Sequence, residues 1–393
     1  MPIDYQSIRS QIKIMAGWDQ IQRERKKKLK NEALAIFRRH VNNSEELKIL
    51  VEKAKSSNGN LRCAVPTDEP LDLQLISTQL PENLVLFAAD GSQIFPDRND
   101  PFDFGLVNVG AIRFETGKNQ SPVEMRESQL LFGEALHDSQ GNPVGEEVIA
   151  LKRDYQEREF LARLADQENL PVVALTDGPL ELFREPRSSN EYQKYLGSYL
   201  GVLQRLARKE IATAGYVDKP RSDLVIRLLE LTQLGMENIH LAGRTRTLLS
   251  LTDAELFTEI LEPGNRSAIF SIQSPSTIHF KEELAIHFFY LNVGRTNHPN
   301  LARVEIPAWV SGNPVILNSV QAVLVNQCSQ MGGQPYPYAL HRAHEIALVK
   351  RSDKEELINL IAEEFHRMGN PVGGGSSKQY QKNLDSSRKR VSL

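Results

Sequence analysis

The sequence predicts an α/β fold, and three observations predict it. The apolar runs Leu84 to Ala89 and Pro171 to Leu175 lack the polar alternation of a half-exposed strand, so both read as strands buried on two faces. Each run ends in a carboxylate followed by glycine, Asp90-Gly91 and Asp177-Gly178. Segments with helical spacing of apolar residues lie before, between and after them.

The chain has 393 residues, 40% apolar and 25% charged, enough for a sizeable core in one elaborated domain or two to three smaller ones. From Ile8 to about Lys55, the apolar positions Trp18, Ile21, Leu29, Ala33, Leu34, Ile36 and Phe37 predict a helical arm over residues 1–80, packed on the core or on a partner subunit. SSNGNLR at 56–62 ends it. In LVLFAADGSQIFP, Gly91 is expected to let the chain turn and direct Asp90 and Ser92 at a ligand. The bland reading is a strand followed by a turn capped by Asp90.

Leu106 to Phe114 predicts a neighbouring strand in a hairpin, and residues 117–145, rich in Gly and Pro, an irregular stretch. Glu147 to about Gln167 is a helix, Pro171 to Leu175 the second buried strand, and Glu191 to Ile211 another helix. TAGYVDKPRS at 213–222 leads to a helix over Asp223 to Leu234, within a helical insertion around 190–262. Ile269 to Ser271, Ile286 to Val293 and Arg303 to Trp309 are strands, the last two paired across GRTNHPN. Helices follow at Ser319 to Met331, at Pro335 to Val349 and over 351–370, and the composition of 371–393 predicts a flexible basic tail.

The formal charge of −3 hides two basic clusters, RERKKKLK at 23–30 and the last residues from Lys378. Such clusters gather phosphates, although a solvated helix face explains the first equally well. Two cysteines, Cys63 and Cys328, are too few and too far apart for a metal knuckle and fit a reducing, cytoplasmic setting. The opening MPIDYQSIRSQIK lacks the apolar stretch of a signal peptide, and no apolar run has the length of a membrane span.

Asp90, Asp177 and a glutamate on the intervening helix form the first candidate set. In RDYQEREFLARLAD, Glu157 shares a face with Leu161 and Leu164, whereas Glu159 lies about 200° round the helix from Glu157. Glu157 is therefore the expected member, with Glu159 its competitor. Arg153, four residues earlier, reaches the same face. Several carboxylates in a sheltered site need cations to stay charged, and oxygen ligands suit Mg²⁺ or Mn²⁺. An acidic helix face that is merely solvated is the competing reading. The second set is PYPYALHRAHEIALV at 335–349, where His341 and His344 are three apart on a helix and His344 lies nearer the apolar side. A neutral imidazole binds Mn²⁺, and the order of residues excludes the H-E-x-x-H zinc pattern. The structural reading is a histidine that caps or packs.

In this order, DGSQIFPDR at 90–98, the RDYQEREFL glutamate, LTDGPL at 175–180, YVDKPRS at 216–222, ARVEIP at 302–307 and PYPYALHRAHEIA at 335–347 resemble the NurA nuclease family. The resemblance runs from roughly residue 80 to 350 and implies a nuclease domain over 81–350. Its fold would be a ribonuclease-H-like mixed sheet with flanking helices and an additional helical region. It implies a homodimeric, manganese-dependent DNA nuclease acting with a hexameric HerA-type translocase in DNA-end resection. Carried over residue by residue, Asp90 resembles the first-strand metal ligand, Glu157 the helical carboxylate, Asp177 the later aspartate and His344 the histidine of the C-terminal helix. Arg303, Tyr338 and Lys219 are candidate phosphate contacts. The implied activity is 5′-to-3′ exonuclease, with single-strand endonuclease as a second. Two readings compete with it: an adaptor that binds DNA and the translocase but cuts poorly, and a metal-dependent phosphohydrolase of a small substrate.

Overall fold

The computed structural model describes residues 4–118, 120–138, 140–182 and 190–370. The basic tail expected over 371–393 lies outside the described residues. The chain divides into two compact units, one formed by 81–177, 182–212 and the segment from 338 onward, the other by 1–80, 178–181 and 213–337.

In the unit that carries Asp90, the central strand is Val85–Ile94. Val85 to Ala89 are all buried, as a strand covered on both faces requires. The strand does not stop at Asp90: it runs on through Gly91, Ser92 and Gln93, and the expected turn is absent. It pairs antiparallel with Gly105–Glu115, which pairs antiparallel with Val123–Leu131. This third strand replaces part of the irregular stretch expected over 117–145. Most of its side chains are exposed, so it shows none of the apolar alternation by which a strand is recognised. The helix Glu146–Ala165 then crosses over to Val172–Asp177, which pairs parallel with the central strand, Val85 opposite Val172 and Ala89 opposite Thr176. A three-strand meander, a crossover helix and a parallel fourth strand beside the first make the sheet mixed and ribonuclease-H-like. Helices Asn190–Arg208, Tyr338–Ala347 and Arg351–Arg367 complete this unit.

The other unit holds an antiparallel sheet in the order Cys63–Pro66, Phe270–Gln273, Ile286–Asn292, Leu301–Pro307 and Ala212–Val217. The last of these lies in the stretch read only as a lead to the next helix. Its Gly215 is packed so that a Cβ there would stand 2.5 Å from the Gly178 carbonyl oxygen. The core is aromatic: Phe257 stacks on Tyr290 at 4.7 Å and meets Phe37 edge-on at 5.9 Å. Phe257 is fully buried, so Phe257→Ala is expected to cost about 3–5 kcal/mol, checked by denaturant unfolding of the full chain.

The first helix, Tyr5–Arg39, buries only Ala33, Leu34, Ile36 and Phe37. Ile12, Ile14, Met15, Trp18 and Ile21 remain exposed, so within the single chain its first half does not pack on the core. Part of the basic run serves structure: Lys26 pairs with Glu255 at 2.6 Å and Lys30 with Glu259 at 2.5 Å. Among the described residues no helix is long and apolar enough to cross a membrane.

Candidate active site

Asp90, Glu157, Asp177 and His344 all belong to the unit built on the central strand. The parallel ladder pairs Ala89 with Thr176, so Asp90 and Asp177 are the next residues along neighbouring strands. Paired residues of a parallel ladder project to the same face, which aligns the two carboxylates. Asp90 is half-buried and Asp177 exposed. His344 is separated from Asp90 by 254 positions in the chain, yet its Nδ1 lies 2.6 Å from Asp90 Oδ2. The other Asp90 oxygen accepts from the Gly91 N–H at 2.8 Å. His341, one turn away, faces Glu345 at 3.7 Å instead.

Glu157 approaches at the next residue. Successive strand positions point to opposite faces, so Gly91 opens away from the side that carries Asp90 and Ser92. A Cβ at Gly91 would stand 2.6 Å from Glu157 Oε1 and 2.6 Å from Arg153 Cγ. The missing side chain is thus what lets the helix bring Glu157 against the strand. Arg153 Nε lies 3.2 Å from Glu157 Oε1, while the same guanidinium donates to Gln93 Oε1 at 2.9 Å and to Asp154 Oδ1 at 2.6 Å. Glu159 lies elsewhere, 3.0 Å from Arg205 Nη2 and 3.8 Å from Arg163 Nε.

Glu157 is buried, and loss of hydration is the main cause that pushes its carboxyl up to about 8; Asp154 adds to the rise, Arg153 opposes it, and Asp90 adds a smaller increment. An ordinary glutamate releases its proton near 4.5, so between about 4.5 and about 8 the folded chain holds a proton that the unfolded chain has lost. The folded state binds more protons in that window, and stability therefore falls as pH rises through it. In chelator, the thermal midpoint of Glu157→Gln is expected to gain on wild type from about pH 4.5 to about 8. Parallel curves across that window would show that Glu157 is not held protonated.

Asp154 is an acidic neighbour that the sequence reading missed, and its signal was available, since it precedes Glu157 by three residues on one helix face. The candidate phosphate contacts fare differently. Arg303 is buried and paired with Glu305 at 2.7 Å, a structural ion pair. Tyr338 packs edge-on with Phe114 at 6.0 Å. Lys219 is exposed at a positive φ of 43°. Among the described residues, no three His, Cys, Asp or Glu side chains stand close enough together to hold one ion as placed. The donor types nevertheless suit a hard divalent cation: three carboxylates and an imidazole, one carboxyl buried beside other acids.

Sequence comparison with curated proteins finds no match. Solved structures with distant likeness include the catalytic domain of human endonuclease V, at 12% identity and a TM-score of 0.33, covering 81% of this chain and 98% of that one. Drosophila Piwi matches at 12% and 0.30, covering 68% of this chain, which spans only 30% of Piwi's length. LC9-RNase H1, a type 1 ribonuclease H with the type 2 active-site motif, matches at 14% and 0.22, covering 44% of this chain and 78% of that one. At such levels none of the three bears on mechanism here. The NurA domain profile, in contrast, matches residues 84–364. That span is most of the chain and contains Asp90, Glu157, Asp177 and His344, and the chain belongs to the NurA family of nucleases.

Proposed function

We propose that the chain is a manganese-dependent DNA nuclease that hydrolyses phosphodiester bonds in the cytosol. It works as a 5′-to-3′ exonuclease with single-strand endonuclease activity, as a homodimer coupled to a HerA-type translocase in DNA-end resection. The observation that carries this reading is the parallel ladder whose last pair, Ala89 and Thr176, immediately precedes Asp90 and Asp177, inside the segment matched by the family. The exposed Ile12, Ile14, Met15, Trp18 and Ile21 on the first helix support the homodimer, because an unpaired helix with these side chains in water gains little from folding alone.

Asp90, Glu157, Asp177 and His344 would hold Mn²⁺, with Mg²⁺ as the alternative ion. A bound divalent cation supplies charge neutralisation for the phosphate and a water of lowered pKa. The protein's own part is to arrange the donors. Asp90 holds the His344 imidazole by its Nδ1, and Arg153 holds Glu157 while Gln93 and Asp154 hold Arg153. In the net reaction a water oxygen bonds to phosphorus, one P–O ester bond breaks, and the products are a phosphate monoester and a hydroxyl. Negative charge grows on the leaving oxygen, so a site that concentrates positive charge there favours the transition state over the substrate.

One observation favours a second reading, the poorly cutting adaptor: the donors of the described residues are not gathered around one point. End-labelled single- and double-stranded DNA, incubated with the full chain and Mn²⁺ with and without a HerA-type hexamer, separates the two. Mononucleotides released from the 5′ end are the expected product, and chelator is expected to stop their release. Binding of DNA and hexamer with no Mn²⁺-dependent cutting would sink the nuclease and leave the adaptor.

A further inference from the structure

The helix that carries His344 ends at Ala347 and is followed by Leu348, Val349 and Lys350, with no glycine to close it. The last carbonyls of a helix lack partners within it. Here the Ala347 carbonyl accepts from two strands at once: Ser92 Oγ donates at 2.5 Å and Asn108 Nδ2 at 2.6 Å. Ser128 Oγ, on the third strand, donates to Asn108 Oδ1 at 2.7 Å, which fixes the amide the right way round for the bond to Ala347. The Val349 N–H in turn donates to Ser92 Oγ at 3.2 Å. Gly110, directly opposite Asp90 in the hairpin, lets the helix end settle on the sheet, since a Cβ there would stand 2.5 Å from the Ala347 nitrogen.

Ser92 and Asp90 lie two apart on one face of the central strand, and Ala347 and His344 lie three apart on one face of the helix. The strand therefore grips the helix twice, Asp90 at His344 and Ser92 at Ala347. We propose that Ser92, Asn108 and Ser128 are positioning residues of the nuclease site, forming a hydrogen-bonded latch that sets where His344 stands against Asp90. The latch rests on the functional reading of His344, and its test has an arm that does not.

Asn108→Asp in the full chain keeps the size of the side chain and its bond from Ser128 but cannot donate to Ala347. Amide exchange of peptides spanning 345–350, followed by mass spectrometry, is expected to quicken by about tenfold, the effect of one hydrogen bond. DNA cleavage is expected to lose about tenfold in kcat with KM unchanged, and to lose nothing further when the same substitution is made in His344→Ala. If Asn108→Asp does not fold, Ser128→Ala removes only the outermost link and is expected to show the same pattern at about threefold. Unchanged exchange over 345–350 would overturn the latch, and so would an equal loss of kcat in the His344→Ala background. If His344→Ala alone cuts DNA at the wild-type rate, the role of His344 fails, and exchange over 345–350 then decides whether the latch exists.

Discussion

Asp90→Asn is expected to lower DNA cleavage by about a hundredfold to a thousandfold, the loss typical of one group that stabilises developing charge. The substitution nearly preserves shape. Asparagine retains a carbonyl oxygen for the Gly91 N–H, so the strand keeps its local bond, and thermal unfolding should move little. What goes is the charge, and with it the strong pair to His344 Nδ1 and any hold on a cation. A second signature separates this from misfolding. The Asp90 charge is one of the causes that raise Glu157, so its removal should let Glu157 ionise at a lower pH than in the wild type. Titration of the thermal midpoint in chelator reads that shift without any DNA present. Wild-type and Asp90→Asn chains that cut with equal Mn²⁺-dependent rates would remove Asp90 from the reaction altogether.

The parts of this site that were legible in the sequence are those set by local pattern. The runs Leu84 to Ala89 and Pro171 to Leu175 announce themselves by their lack of polar alternation, Leu84 to Ala89 and Val172 to Leu175 are buried, and an aspartate followed by glycine closes each strand end in the sequence. Glu157 over Glu159 follows from helical periodicity, and the structure places Glu157 against the strand and Glu159 against Arg205. The strand Val123–Leu131 was hidden because it ends its unit's sheet and carries exposed Glu124 and Arg126 and half-buried Glu127; charges there discourage further pairing and erase the apolar signal. The strand Ala212–Val217 was hidden for the opposite reason. Its Gly215 has no side chain because the Gly178–Leu180 backbone packs on it, a tertiary cause with no periodic trace. The meeting of His344 with Asp90 spans nearly the whole domain and depends on how a helix end is docked, which no spacing of residues encodes.

Gly91 is where sequence and structure part most instructively, and it yields the second large effect. A glycine after a strand aspartate suggests freedom to turn, but Gly91 lies inside the strand and pairs with Val109 in regular register. Alanine therefore suits its backbone, and space alone decides the outcome. The new methyl carbon would stand 2.6 Å from both Glu157 Oε1 and Arg153 Cγ, closer than such atoms approach one another. Arg153 Cγ belongs to the stem of its side chain and yields poorly, whereas the Glu157 carboxylate is the free end and must swing away. Displacement of one reacting group by about an ångström costs on the order of a hundredfold in rate, so Gly91→Ala is expected to lose cleavage to that extent. Because a buried carboxyl would also be driven off its site, the pH window over which Glu157 stays protonated should narrow from its upper end near 8. Gly91→Ala cleaving DNA at the wild-type rate, with that window unchanged, would mean that the approach of Glu157 through the glycine gap has no part in the chemistry.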